Sequence, residues 1–233
     1  MMGRTTVLSA LFALLAYAAG AWLTHDFQTW TAEGARRLEV ALAPVPAPAT
    51  PLHGPGMADT PLQLLLTEGG GVTIVDFVYT RCQTVCLALG STFQQLQANI
   101  QEGQRNSLVG AKGANGTKGT AGVKLLSISF DPAHDQPTAL AAYASRLQAD
   151  PRIWRFATAR DETGLRLLLE RFQVVVISDG MGGFEHNAAL LVVDGKGRLV
   201  RIFDYADMDT ALAWAQHLAA TQAHTAKAEG SAG

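Results

Sequence analysis

The stretch that decides the fold is Val72-Thr-Ile-Val-Asp-Phe-Val-Tyr-Thr-Arg-Cys-Gln-Thr-Val-Cys86. Its first half is β-branched and aromatic, a composition that predicts a strand buried on both faces. A turn then carries Cys82, and a helical pattern follows from Cys86. The apolar face of that helix is formed by Leu89, Phe93, Leu96 and Ile100. The only two cysteines of the chain therefore lie at a strand-to-helix turn.

Strand and helix patterns alternate downstream of this turn. Strands are predicted at 123–130, 154–158 and 174–177, with a closing hairpin at 188–193 and 199–203 around Asp194-Gly-Lys-Gly197. Helices are predicted at 86–101, 137–147, 161–171 and 207–220. Helical crossovers join parallel strands and hairpins join antiparallel ones, so we expect an α/β fold with a mixed central sheet flanked by helices.

The chain is predicted to contain a membrane anchor or signal peptide at 1–24, a juxtamembrane segment and proline-rich stalk at 25–57, a globular domain at 58–222 and a disordered tail at 223–233. The stalk is inferred from alternating prolines that continue to Pro55, which disfavour helix. Residues 103–122, rich in Gly, Lys, Asn and Thr, predict a flexible insertion in the domain. A phosphate-binding loop is disfavoured there, because Lys118 is followed by Gly119 rather than by Ser or Thr opening a helix.

The N-terminal segment predicts export of the domain. Residues 6–23 carry no charge, and a helix of that length rises about 27 Å, close to the hydrocarbon thickness of a bilayer. Arg4 before the run and Trp22 at its far end predict a single-pass helix in the inner membrane, with the domain on the periplasmic side. The alternative is a cleaved signal peptide ending near Ala16-Tyr-Ala18. The anchor is favoured because the apolar run continues beyond that triplet.

Charge and cysteine content exclude two classes of function. The chain has 18 Lys and Arg against 20 Asp and Glu, a net charge of −2, and no basic stripe, so nucleic acid is not an expected partner. Two cysteines four positions apart do not make a disulfide scaffold. Export to an oxidising compartment also argues against a pair of inert buried thiols.

The position of the two cysteines favours reactive thiolates. A helix N-terminus lowers the pKa of a nearby thiol, and Arg81 acts in the same direction. Oxidoreductases usually place two residues between their cysteines, whereas three lie between Cys82 and Cys86. Cβ atoms at this helical spacing lie about 5–6 Å apart, further than the ~3.8 Å of a disulfide. A bridge therefore requires Cys82 to lie outside the helix, while two thiolates at this spacing also suit a soft ion such as Cu(I) or Zn.

A metal site needs ligands from elsewhere in the chain. The histidines are His25, His53, His134, His186, His217 and His224. His186 is the best candidate, because its loop is expected at the same end of the sheet as Cys82; the alternative is a hydrogen-bonding loop residue. Two thiolates and one imidazole are too few for structural zinc and suit a transferable copper ion. Met181 is a weaker candidate, as an axial thioether or a plain surface residue.

Four further residues leave alternatives open. Asp131 and Asp135 are either a carboxylate pair or, as we favour, caps of the helix that starts at Pro137. Thr80 and Arg81 are the residue types that a peroxidase of the peroxiredoxin type uses beside its cysteine. The sequence places them as neighbours of Cys82 only along the chain.

Three blocks, in order, make the chain resemble the Sco/SenC family of copper chaperones for cytochrome c oxidase. The blocks are Phe77-Val-Tyr-Thr-Arg-Cys82 with Cys86, Leu126-Ser-Ile-Ser-Phe-Asp-Pro132, and Glu185-His-Asn187 before Leu190-Leu-Val-Val-Asp194. The resemblance covers roughly residues 72–220. The chain departs from the family pattern at Leu87, where proline is usual, and in the short glycine-rich segment 59–71.

The resemblance implies a thioredoxin-like fold behind a transmembrane helix, and copper, as Cu(I) or Cu(II), held by Cys82, Cys86 and His186. It implies a metallochaperone rather than an enzyme. Its partner would be the copper-binding subunit of cytochrome c oxidase or another copper chaperone. The alternative is an exported thiol–disulfide oxidoreductase that reduces a partner's cysteines through Cys82 and Cys86 without needing His186.

Overall fold

The computed structural model of the chain describes residues 2–82, 85–110 and 122–230, and side chains in the helix that follows the cysteine turn are described from residue 88. The chain divides into two units, Met1–Ala43 and Pro44–Gly233. Most of the insertion predicted at 103–122 lies outside the described residues. Its first part, residues 103–110, continues the helix that precedes it.

The first unit consists of two helices, α1 (Met2–Leu23) and α2 (Ala32–Leu42). By length and composition, the span Gly3–Leu23 of α1 can cross a membrane, with a mean hydropathy of 1.8. The Thr31 hydroxyl caps α2 by accepting the Gly34 N–H at 3.0 Å, as expected of a threonine at this position.

The second unit is built on an eight-stranded mixed sheet. Its strands along the chain are β1 (Val45–Pro46), β2 (Pro51–Gly54), β3 (Met57–Pro61), β4 (Val72–Val78), β5 (Val123–Ser129), β6 (Trp154–Ala159), β9 (Leu190–Val193) and β10 (Arg198–Phe203). Between β6 and β9 the chain forms a separate two-stranded sheet of β7 (Val176–Ser178) and β8 (Phe184–His186). The strand order is β1-β10-β9-β4-β5-β6-β2-β3, in which β4, β5 and β6 run parallel. The helices are α3 (Leu62–Thr67), α4 (Val85–Gly110), α5 (Pro137–Arg146), α6 (Glu162–Phe172) and α7 (Met208–Gly230).

Strand β4 lies at the centre of the sheet, and all of its residues are buried, as its composition predicted. On one face, Val72 and Ile74 join a core cluster with apolar residues of α4 and α7. On the other face, the Phe77 ring lies 5.7 Å from that of Phe172 in α6. Helices therefore cover both faces of the sheet, which confirms the predicted architecture.

The proline-rich stalk predicted within residues 25–57 has a different structure, whereas the juxtamembrane part before it contains the helix α2. The proline-rich part forms β1, which pairs with β10, and β2, which pairs with β6 and β3. Proline is tolerated at edge strands and first strand positions, where Pro46 and Pro51 lie. The second unit therefore begins at Pro44, not at residue 58, and the β2–β3 hairpin supplies its opening.

The C-terminal segment predicted as a tail also differs in part. Residues 223–230 continue α7 instead of leaving it. Their small and alanine-rich composition, which suggested fraying, is equally compatible with helix.

Asp76 is a buried carboxyl group in β4 that the sequence interpretation passed over. Its residue is 1% exposed and lies opposite Ser127 of β5 in the parallel register. The Ser127 hydroxyl also accepts the indole N–H of Trp154 at 2.8 Å. Burial raises the pKa of Asp76 to about 7, against the opposing effect of the Ser127 hydroxyl.

If β2 belongs to the folded unit, truncating its buried leucine should destabilise the protein. Leu52 is fully buried, so Leu52→Ala should lower the free energy of unfolding by about 2–5 kcal/mol in urea denaturation. Leu64→Ala, at a position 60% exposed, serves as the control and should change little. Equal, small effects of both changes would instead support a stalk.

The buried Asp76 should make stability depend on pH. Between about pH 4 and pH 7 the folded state keeps a proton that the unfolded state, with an ordinary pKa near 3.8, has released. The free energy of unfolding therefore falls as pH rises, by at most about 1.4 kcal/mol per pH unit. Asp76→Asn cannot ionise, so from pH 5 to pH 7 the wild type should lose about 2 kcal/mol relative to this variant in urea unfolding. Parallel pH profiles of the two proteins would contradict the assignment.

Candidate metal centre

The two cysteines lie where the sequence predicted, at the turn from β4 into α4. The Cys82 backbone N–H donates to the Tyr79 carbonyl oxygen at 3.2 Å, which closes the turn. Cys82 is buried, with 8% of its surface exposed. Cys86 occupies the first turn of α4, whose N-terminus favours a thiolate. The Cys86 side chain lies outside the described atoms, so the proposed pairing of the two sulfurs stays a prediction.

His186 lies in the two-stranded hairpin of β7 and β8, where it pairs with Val176. The strand expected at 174–177 thus belongs to this hairpin and not to the central sheet, because its partner is the strand that carries the histidine. Asn187 secures the base of the hairpin: its Oδ1 accepts the Val175 N–H at 2.8 Å, and its Nδ2 donates to the Gln173 carbonyl at 3.1 Å.

Partial burial shapes the chemistry of His186. Desolvation lowers the pKa of its imidazole below the ordinary value. At neutral pH the ring is therefore uncharged, and a neutral imidazole is the form that binds metals.

An aromatic cluster joins this hairpin to the ends of the central strands. Tyr79 follows β4 and Phe130 follows β5, and their ring centroids lie 5.3 Å apart. Phe184 packs edge-on against both rings, at 5.3 Å from Tyr79 and 5.7 Å from Phe130. The His186 ring lies 5.1 Å from Phe130, and the Phe184 N–H donates to the Tyr79 hydroxyl at 3.2 Å.

This cluster brings the histidine and cysteine segments to one edge of the sheet. Parallel strands end at the same edge, so the turn after β4 and the loop after β5 emerge side by side. The sequence reasoning expected His186 at this edge but missed the aromatic residues that hold it there. An aromatic residue directly after each of two buried strands is the signal that was available.

Asp131 and Asp135 do not cap the helix at Pro137, contrary to the favoured prediction. The N-cap of α5 is Gln136, which makes no side-chain capping bond. Both carboxylates instead face the cysteine turn. Asp135 accepts from Thr80, and Asp131 accepts from the Arg81 guanidinium at 2.8 Å. These contacts already engage Thr80 and Arg81, which argues against the peroxidase alternative.

The other histidines and Met181, the remaining candidates for metal ligands, lie in other parts of the chain, contact a carboxylate or are exposed. His25 approaches Glu39 at 3.3 Å in the first unit, His53 lies in β2, and His217 and His224 lie on α7. The Nδ1 atom of His134 lies 2.8 Å from Asp131. Met181 is 88% exposed in the β7–β8 turn. Among the side chains that the structure describes, which exclude that of Cys86, no three His, Cys, Asp or Glu residues form a metal-binding group.

Comparison with known proteins places this arrangement in a family. The model of the SCO1/SenC family matches residues 68–221. A SCO1 protein homolog from Bacillus subtilis is 23% identical over 137 residues, a match that spans 58% of this chain and 63% of that relative. The chain therefore covers somewhat less than two thirds of this curated relative.

Solved structures share the fold. BsSco, described as a member of the Sco family of cytochrome c oxidase assembly proteins with a disulfide switch, has a TM-score of 0.57 and 18% identity over 76% of this chain and 96% of its own. Bradyrhizobium japonicum ScoI, solved with copper bound, has a TM-score of 0.55 and 20% identity over 75% of this chain and 99% of its own. These likenesses confirm the thioredoxin-like fold, and the family match over residues 68–221 shows that this chain belongs to the SCO1/SenC family.

Proposed function

We propose that this protein is a membrane-tethered metallochaperone that binds a copper ion through Cys82, Cys86 and His186 and delivers it to the copper site of a cytochrome c oxidase subunit. One observation carries the proposal. In a chain of the SCO1/SenC family, the His186 hairpin packs against the strand ends from which the Cys82 turn departs. The copper-bound structure of Bradyrhizobium japonicum ScoI and the assembly role stated for BsSco support it.

The donor set suits a cargo ion rather than a permanent one. Thiolates and imidazole together favour copper over hard cations. A structural zinc site would close four positions, whereas two thiolates and one imidazole leave copper open to a ligand from the receiving protein. Loading also releases protons, since both thiols must ionise to bind.

Tethering is the second part of the proposal. Helix α1 would anchor the protein in the inner membrane, with Arg4 on the cytoplasmic side and the second unit on the periplasmic side. Such a tether confines the copper carrier to the surface where a membrane-bound oxidase subunit is found. Detection of the intact N-terminus in the membrane fraction distinguishes this anchor from a cleaved signal peptide.

Removing the imidazole should weaken copper binding without unfolding the domain. His186→Ala in the full-length protein should lower Cu(I) affinity by about 10-fold or more, because a neutral nitrogen ligand is lost. The measurement is competition against a Cu(I) chelator without oxygen. His217→Ala, on the exposed face of α7, is the matched control and should bind like the wild type.

The same experiment distinguishes the alternative function. Unchanged, tight Cu(I) binding after both His186→Ala and Cys86→Ala would overturn the metallochaperone. Reduction of a partner's disulfide by the Cys82 and Cys86 thiols, which form a disulfide in exchange, would support the thiol–disulfide oxidoreductase if it requires both cysteines but not His186 in a protein that binds copper weakly. The disulfide switch described for BsSco makes this the alternative to test.

A further inference from the structure

Asp135 is a fully buried carboxylate in the loop between β5 and α5. A carboxylate removed from water must be compensated by donors, since an uncompensated one costs several kcal/mol. Three donors meet it: the Thr80 N–H at 2.9 Å, the Thr80 hydroxyl at 2.5 Å and the Ser129 hydroxyl at 2.6 Å. Two of the three come from one residue, which lies two positions before Cys82.

The sheet explains why this loop reaches the cysteine turn. Val78 lies opposite Ser129 in the parallel register, so both strands end side by side. The Phe130 N–H then donates to the Val78 carbonyl at 3.0 Å, which extends the pairing by one step. Asp135 is held in turn by its own N–H, which donates to the Asp131 carbonyl at 2.8 Å.

A second carboxylate of the same loop holds the next residue of the turn. Asp131, only 5% exposed, accepts from the Arg81 guanidinium at 2.8 Å. Its backbone N–H donates to the Ser129 hydroxyl at 3.0 Å. Thr80 and Arg81, the two residues between Tyr79 and Cys82, are therefore both tied by hydrogen bonds to the β5–α5 loop.

The two ties differ in strength. The Arg81 side chain is 45% exposed, so solvent screens its ion pair with Asp131. The Asp135 carboxylate is itself fully buried, and one of its contacts is to the backbone of the turn. Losing the acceptor would remove the group to which the Thr80 N–H and the Thr80 and Ser129 hydroxyls donate, beside a fully buried position, which favours a rearranged turn.

We propose that Asp135 is a positioning residue that holds the Cys82 turn in the conformation that binds copper. The inference deepens the proposed function and rests on it. It assigns no contact between Asp135 and the metal. Its effect is preorganisation: a turn already held in its binding geometry spends no binding free energy on being ordered.

Substitutions at both ends of the contact test the proposal in the full-length protein. Asp135→Asn keeps the size of the side chain but removes its charge and one acceptor. Thr80→Val keeps the shape of threonine and removes only the hydroxyl donor. Each should lower Cu(I) affinity by about 10-fold or more in anaerobic chelator competition, as is typical of groups that orient a metal ligand. Thr80→Ser, which restores a hydroxyl, should recover most of that affinity.

Asp194 supplies the matched control. It is 1% exposed, it accepts the Lys196 and Arg198 N–H groups at 3.0 and 2.9 Å, and it pairs with the Arg198 guanidinium at 2.7 Å. It lies after Val193, which pairs with the start of β4, so it is at the sheet edge opposite the cysteines. Asp194→Asn should lower stability in urea while leaving Cu(I) affinity within about twofold of the wild type.

The Cu(I) affinities of these variants distinguish a positioning role of Asp135 from a general effect on stability, and from failure of the proposed function. Equal affinity losses in Asp135→Asn and Asp194→Asn, or unchanged affinity in both Asp135→Asn and Thr80→Val, would overturn the positioning role. If Asp135→Asn does not fold, the Cu(I) affinities of Thr80→Val and Thr80→Ser still decide whether the contact positions the turn.

If the wild type itself binds no copper, the proposed function fails. The positioning role is then decided by the rate at which oxidised glutathione forms a Cys82–Cys86 disulfide, which Thr80→Val should change and Asp194→Asn should not.

Discussion

The parallel register of β4 and β5, from Val72 opposite Val123 to Val78 opposite Ser129, aligns the ends of two neighbouring strands. The cysteines and the carboxylates that contact their turn lie beyond those two ends. One strand continues into the cysteine turn, and the other into the loop of Asp131 and Asp135. Parallel strands are joined by long crossovers, so residues far apart in sequence come into contact at these ends. Local sequence patterns do not predict such contacts. A shift of this register by one residue would exchange the faces of β5 and separate these partners.

The buried carboxyl groups of the second unit show two solutions to the same physical problem. Asp135 and Asp194 are surrounded by hydrogen-bond donors, which compensate for lost hydration. Asp76 in β4 lies opposite the Ser127 hydroxyl, and its pKa rises to about 7 because burial disfavours the charge more than this hydroxyl favours it.

Local patterns predicted β4, β5, β6, β9 and β10, helices α4 to α7, and the end of the sheet that carries the cysteines, but not β1, β2, β3, β8 or α3. Strand β4, the closing hairpin and α6 with its Asp161 cap were all readable from periodicity and turn chemistry. The proline-rich segment was misjudged because proline favours extended chain in stalks and edge strands alike, and only pairing partners distinguish the two. Gly54 is the residue in this segment that indicates strand pairing. A Cβ there would collide with the Phe156 carbonyl oxygen, so glycine permits β2 to approach β6 closely. The carboxylate contacts to Thr80 and Arg81 span some fifty residues of sequence and depend on the register alone.

His186 lies in the two-stranded sheet, whereas the cysteine turn follows a strand of the eight-stranded sheet, and this has a consequence for how a bound ion could leave. The hairpin of β7 and β8 shares no strand ladder with the eight-stranded sheet, and a two-stranded hairpin is marginally stable on its own. Its opening disturbs aromatic packing around Tyr79 but none of the ladder bonds between β4 and β5. For copper bound as proposed, the bond to the imidazole is then the first that thermal motion can break, and the dithiolate keeps the ion until a competing ligand arrives. With the proposed ligands, this topology would set an order of dissociation in which the imidazole leaves first, because it lies on the hairpin outside the central sheet.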